Sequence, residues 1–168
     1  MKYLLKFVDS CIYLFIGPFT ILYIIPLFFR GIESNVYTLP SNDYVDYLGI
    51  FFMWFGGALA FTCGVMFFLN KYGSVVPFFK PTQLVTKGPF ALVRHPMMWA
   101  LFLVLIGESL SFSSPFTFGW FIIWARCSHI YICRYEEPFL LRHFGEIYQQ
   151  YAEKVPRWIP GIKAERIG

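Results

Sequence analysis

The sequence predicts an all-α polytopic membrane bundle of about four transmembrane helices, followed by a cytoplasmic amphipathic helix. Three observations carry this. Of 168 residues, 57% are hydrophobic and only 14% charged, against roughly 25% charged in an ordinary soluble domain, which also excludes a disordered chain. No charge interrupts Ser10–Phe29 or Tyr47–Leu69, and only Glu108, Arg126 and His129 interrupt Pro96–Cys133. The first two runs each reach the roughly 20 residues that cross a hydrocarbon core. From Glu136 onward charge returns with helical periodicity. The whole of 1–168 reads as one integral membrane domain.

The first span is Ser10–Phe29, expected to be a retained helix, because its apolar run exceeds the 7–15 residues of a signal-peptide core and no small-residue cleavage site follows. The second is Tyr44–Leu69. The third apolar region is too long for one helix, and Ser109–Pro115 (SLSFSSP) breaks it into a hairpin of Met97–Phe112 and Pro115–Cys133. At about 1.5 Å per residue the third span is short, as expected beside a cavity. The connection Arg30–Asp46 sets one Arg against Glu33, Asp43 and Asp46, and the hairpin turn has no Lys or Arg. Lys2, Lys6, Lys71, Lys80, Lys87, Arg94 and the basic tail lie on the other side, so both termini are expected in the cytoplasm. Leu140, Phe144, Ile147, Tyr148 and Tyr151 share one helical face. They predict one helix of about four turns, opened by Glu136-Glu137 before Pro138 and ended by Val155-Pro156.

Cys11, Cys63, Cys127 and Cys133 lie in apolar runs without CxxC pairing, so they read as small buried hydrophobes rather than a disulfide framework or metal site. The net charge of +4 sits beside spans, not interleaved along a polar surface, which argues against nucleic acid as a partner.

Two polar clusters should meet on the cytoplasmic face. Lys87-Gly-Pro-Phe-Ala-Leu-Val-Arg94-His95-Pro96 ends where the third span begins, and Arg134-Tyr-Glu136-Glu137 begins where the fourth ends. Hairpin partners bring both to one level, making a mixed-charge pocket suited to a zwitterionic ligand. Each piece also has a plainer reading: Arg94 and Arg134 as helix anchors, His95 as a helix-start hydrogen-bonding group, and the two glutamates as a dipole-favoured first turn. Glu108, Arg126 and His129 lie at membrane depth, where ionisable groups face cavities or partners; Arg126 and His129, nearer the cytoplasm, are the better pocket candidates.

The run from Gly73 to Met98, with LVTKGPF leading into RHP, resembles the isoprenylcysteine carboxyl methyltransferase and phospholipid methyltransferase superfamily. So does the tail, where EE precedes FGEIYQQY and VPRWIP. The two matches cover 73–160, the expected catalytic core. The resemblance implies a membrane enzyme taking S-adenosylmethionine from the cytoplasm and a lipophilic acceptor from the bilayer. By matching position it assigns Lys87, Gly88, Arg94, His95, Pro96, Arg134, Glu136, Glu137 and Tyr148 to cofactor binding, with Arg94, His95 and Glu137 closest to the chemistry. Phe90 and Met98 stand where the family commonly has Tyr, and Ala100 where it commonly has Gly. Carboxylate O-methylation is the leading expectation. A phospholipid or small-amine N-methyltransferase and a non-enzymatic scaffold are the alternatives; a reductase reading fails for want of a dinucleotide fingerprint.

Overall fold

A computed structural model describes residues 17–36, 42–69 and 84–160; among them every regular element is helical. Residues 17–19 are helical, and a π turn at Thr20–Ile24 leads into α1, Ile25–Val36. The turn has a local cause. Proline in a helix interior lacks an N–H and clashes with the carbonyl four residues back, and Pro26 follows directly after the widened turn, in which the Ile25 N–H reaches the Thr20 carbonyl. The Ile21 carbonyl, whose partner in this wider pattern would be the Pro26 nitrogen, instead accepts the Trp120 indole N–H at 3.2 Å. The N-terminal part of the expected first span, before residue 17, lies outside the described residues.

The helix does not stop at Phe29 but runs to Val36, so Arg30 and Glu33 belong to it rather than to a connection. Both are held by the hairpin turn. The Arg30 guanidinium lies 3.6 Å over the Phe112 ring, and Glu33 accepts the Phe116 N–H at 2.8 Å.

α2, Asp43–Leu69, starts where Asn42 Oδ1 caps the Tyr44 N–H at 3.1 Å, with Asp43 and Asp46 in the first turn. Over Asp43–Met66 it is long and apolar enough to cross a membrane. It packs most extensively on α3, Pro96–Ser111. Small residues recur every seventh position on α2 (Gly49, Gly56, Cys63), and Cys63 is fully buried. A Cβ on Gly56 would stand 2.7 Å from the Ala100 carbonyl oxygen, and one on Gly49 would collide with Ser111 Oγ. Close backbone approach of this kind is how helices associate without a hydrophobic driving force. It also resolves Ala100: the tight contact there is made by glycine on the opposite helix.

The hairpin falls where SLSFSSP predicts it. α3 closes with the Ser114 N–H on the Ser109 carbonyl (2.9 Å) and the Ser113 N–H on the Leu110 carbonyl (3.1 Å), and Ser113 takes a φ of 46° in the position glycine usually fills. α4, Pro115–Tyr131, begins at once. Ser114 Oγ accepts the Thr117 N–H, and Pro115 fills the first position.

The C-terminal region differs from the sequence expectation in two ways. Glu136 and Glu137 do not open a new helix: α4 passes through a second π turn, Ile132–Glu136, directly into α5, Glu137–Phe144, with the Glu137 N–H on the Ile132 carbonyl. As at Pro26, the π turn ends two residues before a proline, here Pro138. The predicted single amphipathic helix is in fact two, since Gly145 (φ 55°, ψ −131°) separates α5 from α6, Glu146–Lys154. The break shifts the apolar phase. Tyr148, Tyr151, Ala152 and Val155 form a buried cluster with Leu140 and Phe144 against it, while Ile147 is 65% exposed. Of the cysteines, Cys63 is buried, but Cys127 is exposed and Cys133 half-buried; Cys11 lies outside the described residues.

Candidate functional site

The RHP segment enters α3 from a 3-10 turn at Gly88–Ala91, and Gly88 (φ 60°) is needed there both for its left-handed backbone and because a Cβ would meet Met66 Sδ at 2.8 Å. Phe90, where the family commonly has Tyr, is buried; its carbonyl accepts the Tyr151 hydroxyl at 2.7 Å. The segment Val155–Trp158 returns across these residues as a strap. The Arg94 backbone N–H donates to the Pro156 carbonyl (2.9 Å), Arg94 Nε to the Val155 carbonyl (3.0 Å), and Trp99 Nε1 to the Trp158 carbonyl (2.8 Å).

These elements enclose one carboxylate. Glu137, 1% exposed, accepts Arg94 Nη1 at 2.9 Å and is gripped by Arg157 through Nε at 2.9 Å and Nη2 at 2.7 Å. His95 Nε2 stands 3.4 Å from Glu137 Oε1, and its Nδ1 stands 3.6 Å from Glu136 Oε1. Burial alone would raise the Glu137 pKa. Hydrogen bonds from His95 and Arg157, with the charges of Arg94 and Arg157, override it and pull the value from 4.5 to about 2. The π turn contributes here, since π bulges re-aim the residues that follow them and recur at functional sites.

Tyr148 is 1% exposed, and its hydroxyl, near the charges of Arg94 and Glu137, has no hydrogen-bond partner among the described residues. Burial and the nearby Glu137 charge push its pKa above the usual tyrosine range. A buried hydroxyl lacking a partner is costly, so it stands out in an otherwise satisfied cluster. Beside it the Trp158 indole packs on His95, His129 and Phe102 and donates from Nε1 to His129 Nδ1 at 3.0 Å.

Of the residues singled out from sequence, Arg94, His95, Glu136, Glu137 and Tyr148 come together. Pro96 is buried as the first residue of α3, while Lys87 and Arg134 are exposed and contribute no described contact to the cluster. Arg157 and Tyr151 were not singled out. The VPRW motif carries the first and the FGEIYQQY motif the second, but only the fold shows which side chains turn inward.

Fold and site together define an all-helical protein with a membrane-capable helix and a buried arginine–carboxylate cluster at one end of its helical hairpin. The chain belongs to the phospholipid methyltransferase family, whose model matches residues 45–147. It is 36% identical over 86 residues to Protein-S-isoprenylcysteine O-methyltransferase of Schizosaccharomyces pombe, covering 49% of this chain and 35% of that relative. To the Xenopus laevis protein of the same name it is 26% identical over 139 residues, covering 81% of this chain and 48% of the relative. These alignments therefore span less than half the length of either relative. No solved structure matches the chain significantly.

Proposed function

We propose that this chain is an integral membrane S-adenosylmethionine-dependent methyltransferase acting on a lipophilic acceptor, with O-methylation of a carboxylate preferred. The observation that carries the reading is the Arg94–Glu137–Arg157 cluster, built from both family motifs and flanked by the unpartnered Tyr148 hydroxyl. In this reading α1 with the residues before it, α2, α3 and α4 cross the bilayer, and the cluster and both termini face the cytoplasm. Arg30 with Glu33, Asp43 and Asp46 at the opposite end supports that orientation.

S-adenosylmethionine supplies a methyl group already activated by a sulfonium. The residues present fit it: Glu136, with a side chain 34% exposed, offers a carboxylate to the cationic part of a zwitterion, and the buried Tyr148 hydroxyl nearby still lacks a partner. Arg94 and Arg157 fix Glu137 rather than remaining free to bind an anion, while Lys87 and Arg134 stand as exposed cations at the rim. Held there, the cofactor would supply its methyl to a carboxylate oxygen, with the electron pair of the S–C bond returning to sulfur and no proton to move. What the protein has to provide is alignment and exclusion of water. Both ring nitrogens of His95 face carboxylates, and a carboxylate acceptor, unlike an amine, needs no base, which supports the carboxylate over N-methylation.

The test is calorimetry of S-adenosylmethionine binding to the purified full chain, followed by mass spectrometry of a lipid extract incubated with methyl-labelled cofactor. The expected result is saturable binding and a labelled methyl ester, with Tyr148→Phe weakening binding at unchanged thermal stability. No binding by the wild-type protein would overturn the reading; a labelled amine would overturn the carboxylate preference.

A further inference from the structure

On α4, Ile122, Arg126 and His129 recur at i, i+4 and i+7, so they share one face. The opposite part of the helix is committed to packing, with Thr117, Ser128 and Ile132 all buried. At its inner end this stripe touches the site, where His129 accepts the Trp158 indole N–H at 3.0 Å. At its outer end Ile122 is 53% exposed. Arg126 between them is exposed and has no ion pair or hydrogen bond among the described residues.

That position is chemically unusual. Arg126 lies about 16 Å along the helix from Pro115, close to the middle of the proposed crossing. A cation there is expensive unless it meets an anion or reaches water. His129 lies three residues further on along the same face, about 4.5 Å nearer the polar end. The face thus presents an exposed apolar residue, a free guanidinium and a histidine that touches the enclosed cluster through Trp158, in that order.

We infer that Arg126 is the acceptor-recognition residue, holding the carboxylate of an anionic lipophile whose hydrocarbon chain lies along the outer part of this helix face. The inference rests on the methyltransferase reading above. A planar guanidinium engages a carboxylate through two parallel N–H groups and so fixes its orientation as well as its charge. Arg126 is therefore a specificity-determining residue, separate from the Arg94 and Arg157 that hold Glu137.

The experiment measures binding of isoprenylcysteine and of its uncharged carboxamide to the full chain in phosphatidylcholine nanodiscs, for wild type, Arg126→Gln and Arg126→Lys. S-adenosylmethionine affinity is measured on the same samples. Wild type is expected to prefer the carboxylate by about tenfold or more, the loss expected when a charge-assisted hydrogen bond is removed. Arg126→Gln should erase that preference while cofactor affinity stays unchanged, and Arg126→Lys should keep part of it. A preference that survives in Arg126→Gln, or that wild type lacks, overturns the inference. So does a variant whose only change is weaker retention on vesicles containing phosphatidylserine, which would make Arg126 a lipid anchor. Failure of the cofactor to bind wild type would instead mark failure of the methyltransferase reading.

Discussion

Two buried glutamates stand at opposite ends of the helical hairpin and are satisfied in different ways. Glu33, 7% exposed, accepts a backbone N–H, that of Phe116 in the first turn of α4. Helix starts leave such donors unpaired and favour negative charge, so Glu33 acts as a cap supplied from another helix. Glu137 meets two guanidiniums and an imidazole brought from residues 94, 95 and 157. The Glu33 contact ties two helices through one backbone donor, whereas the side-chain partners of Glu137 tie three segments to one another. Burial alone does not distinguish a structural carboxylate from one that assembles a site; its partners do.

The largest expected effect is at Glu137. Glu137→Gln leaves Arg94 and Arg157 buried without their counter-charge, and removing one partner of such a group typically costs about 3–5 kcal/mol. Chemical unfolding in a single detergent, together with cofactor calorimetry, should show both stability and affinity falling. Retained stability would break the comparison.

The pH response comes next. The folded Glu137 pKa of about 2 lies below its ordinary 4.5, so its stabilisation is complete above about 4.5 and is lost as pH falls from there toward about 2. The amount is on the order of 3 kcal/mol. Unfolding curves between pH 6 and 3 should show this slope in wild type and a flatter one in Glu137→Gln. Equal slopes would mean the cluster does not hold the carboxylate ionised.

Glu33→Ala is expected to have the smallest effect, about 1 kcal/mol, the usual cost of losing a cap. Thermal unfolding should register it while cofactor affinity stays at the wild-type value. A drop in affinity would show that the two ends are coupled through α4.

Much of the frame was legible because it is local. The expected span Tyr44–Leu69 differs from α2 by one residue at its start, and the serines of SLSFSSP supply both the stop of α3 and the cap of α4. The convergence of Arg94, His95 and Glu137 followed from hairpin pairing and the motifs. What stayed hidden depends on phase or on distance. Gly145 shifts the face of every residue after it, which is why Ile147 looked like part of the apolar stripe and is not. Arg157 joins Glu137 across 20 residues, and Glu33 reaches Phe116 across 83; no periodicity announces such pairs.

The π turn at Ile132–Glu136 makes the register of the site a matter of counting as well as of residue type. Each residue added to or taken from a helix swings everything beyond it by about 100°. The turn absorbs one extra residue, so removing one there would let the Glu137 N–H meet the same Ile132 carbonyl in an ordinary α-helix, whereas a residue removed from α4 itself would carry Glu137 around the axis, away from Arg94 and Arg157, with every side chain of the cluster still present. Along α4 outside this turn, a one-residue deletion is therefore a more severe change than most substitutions.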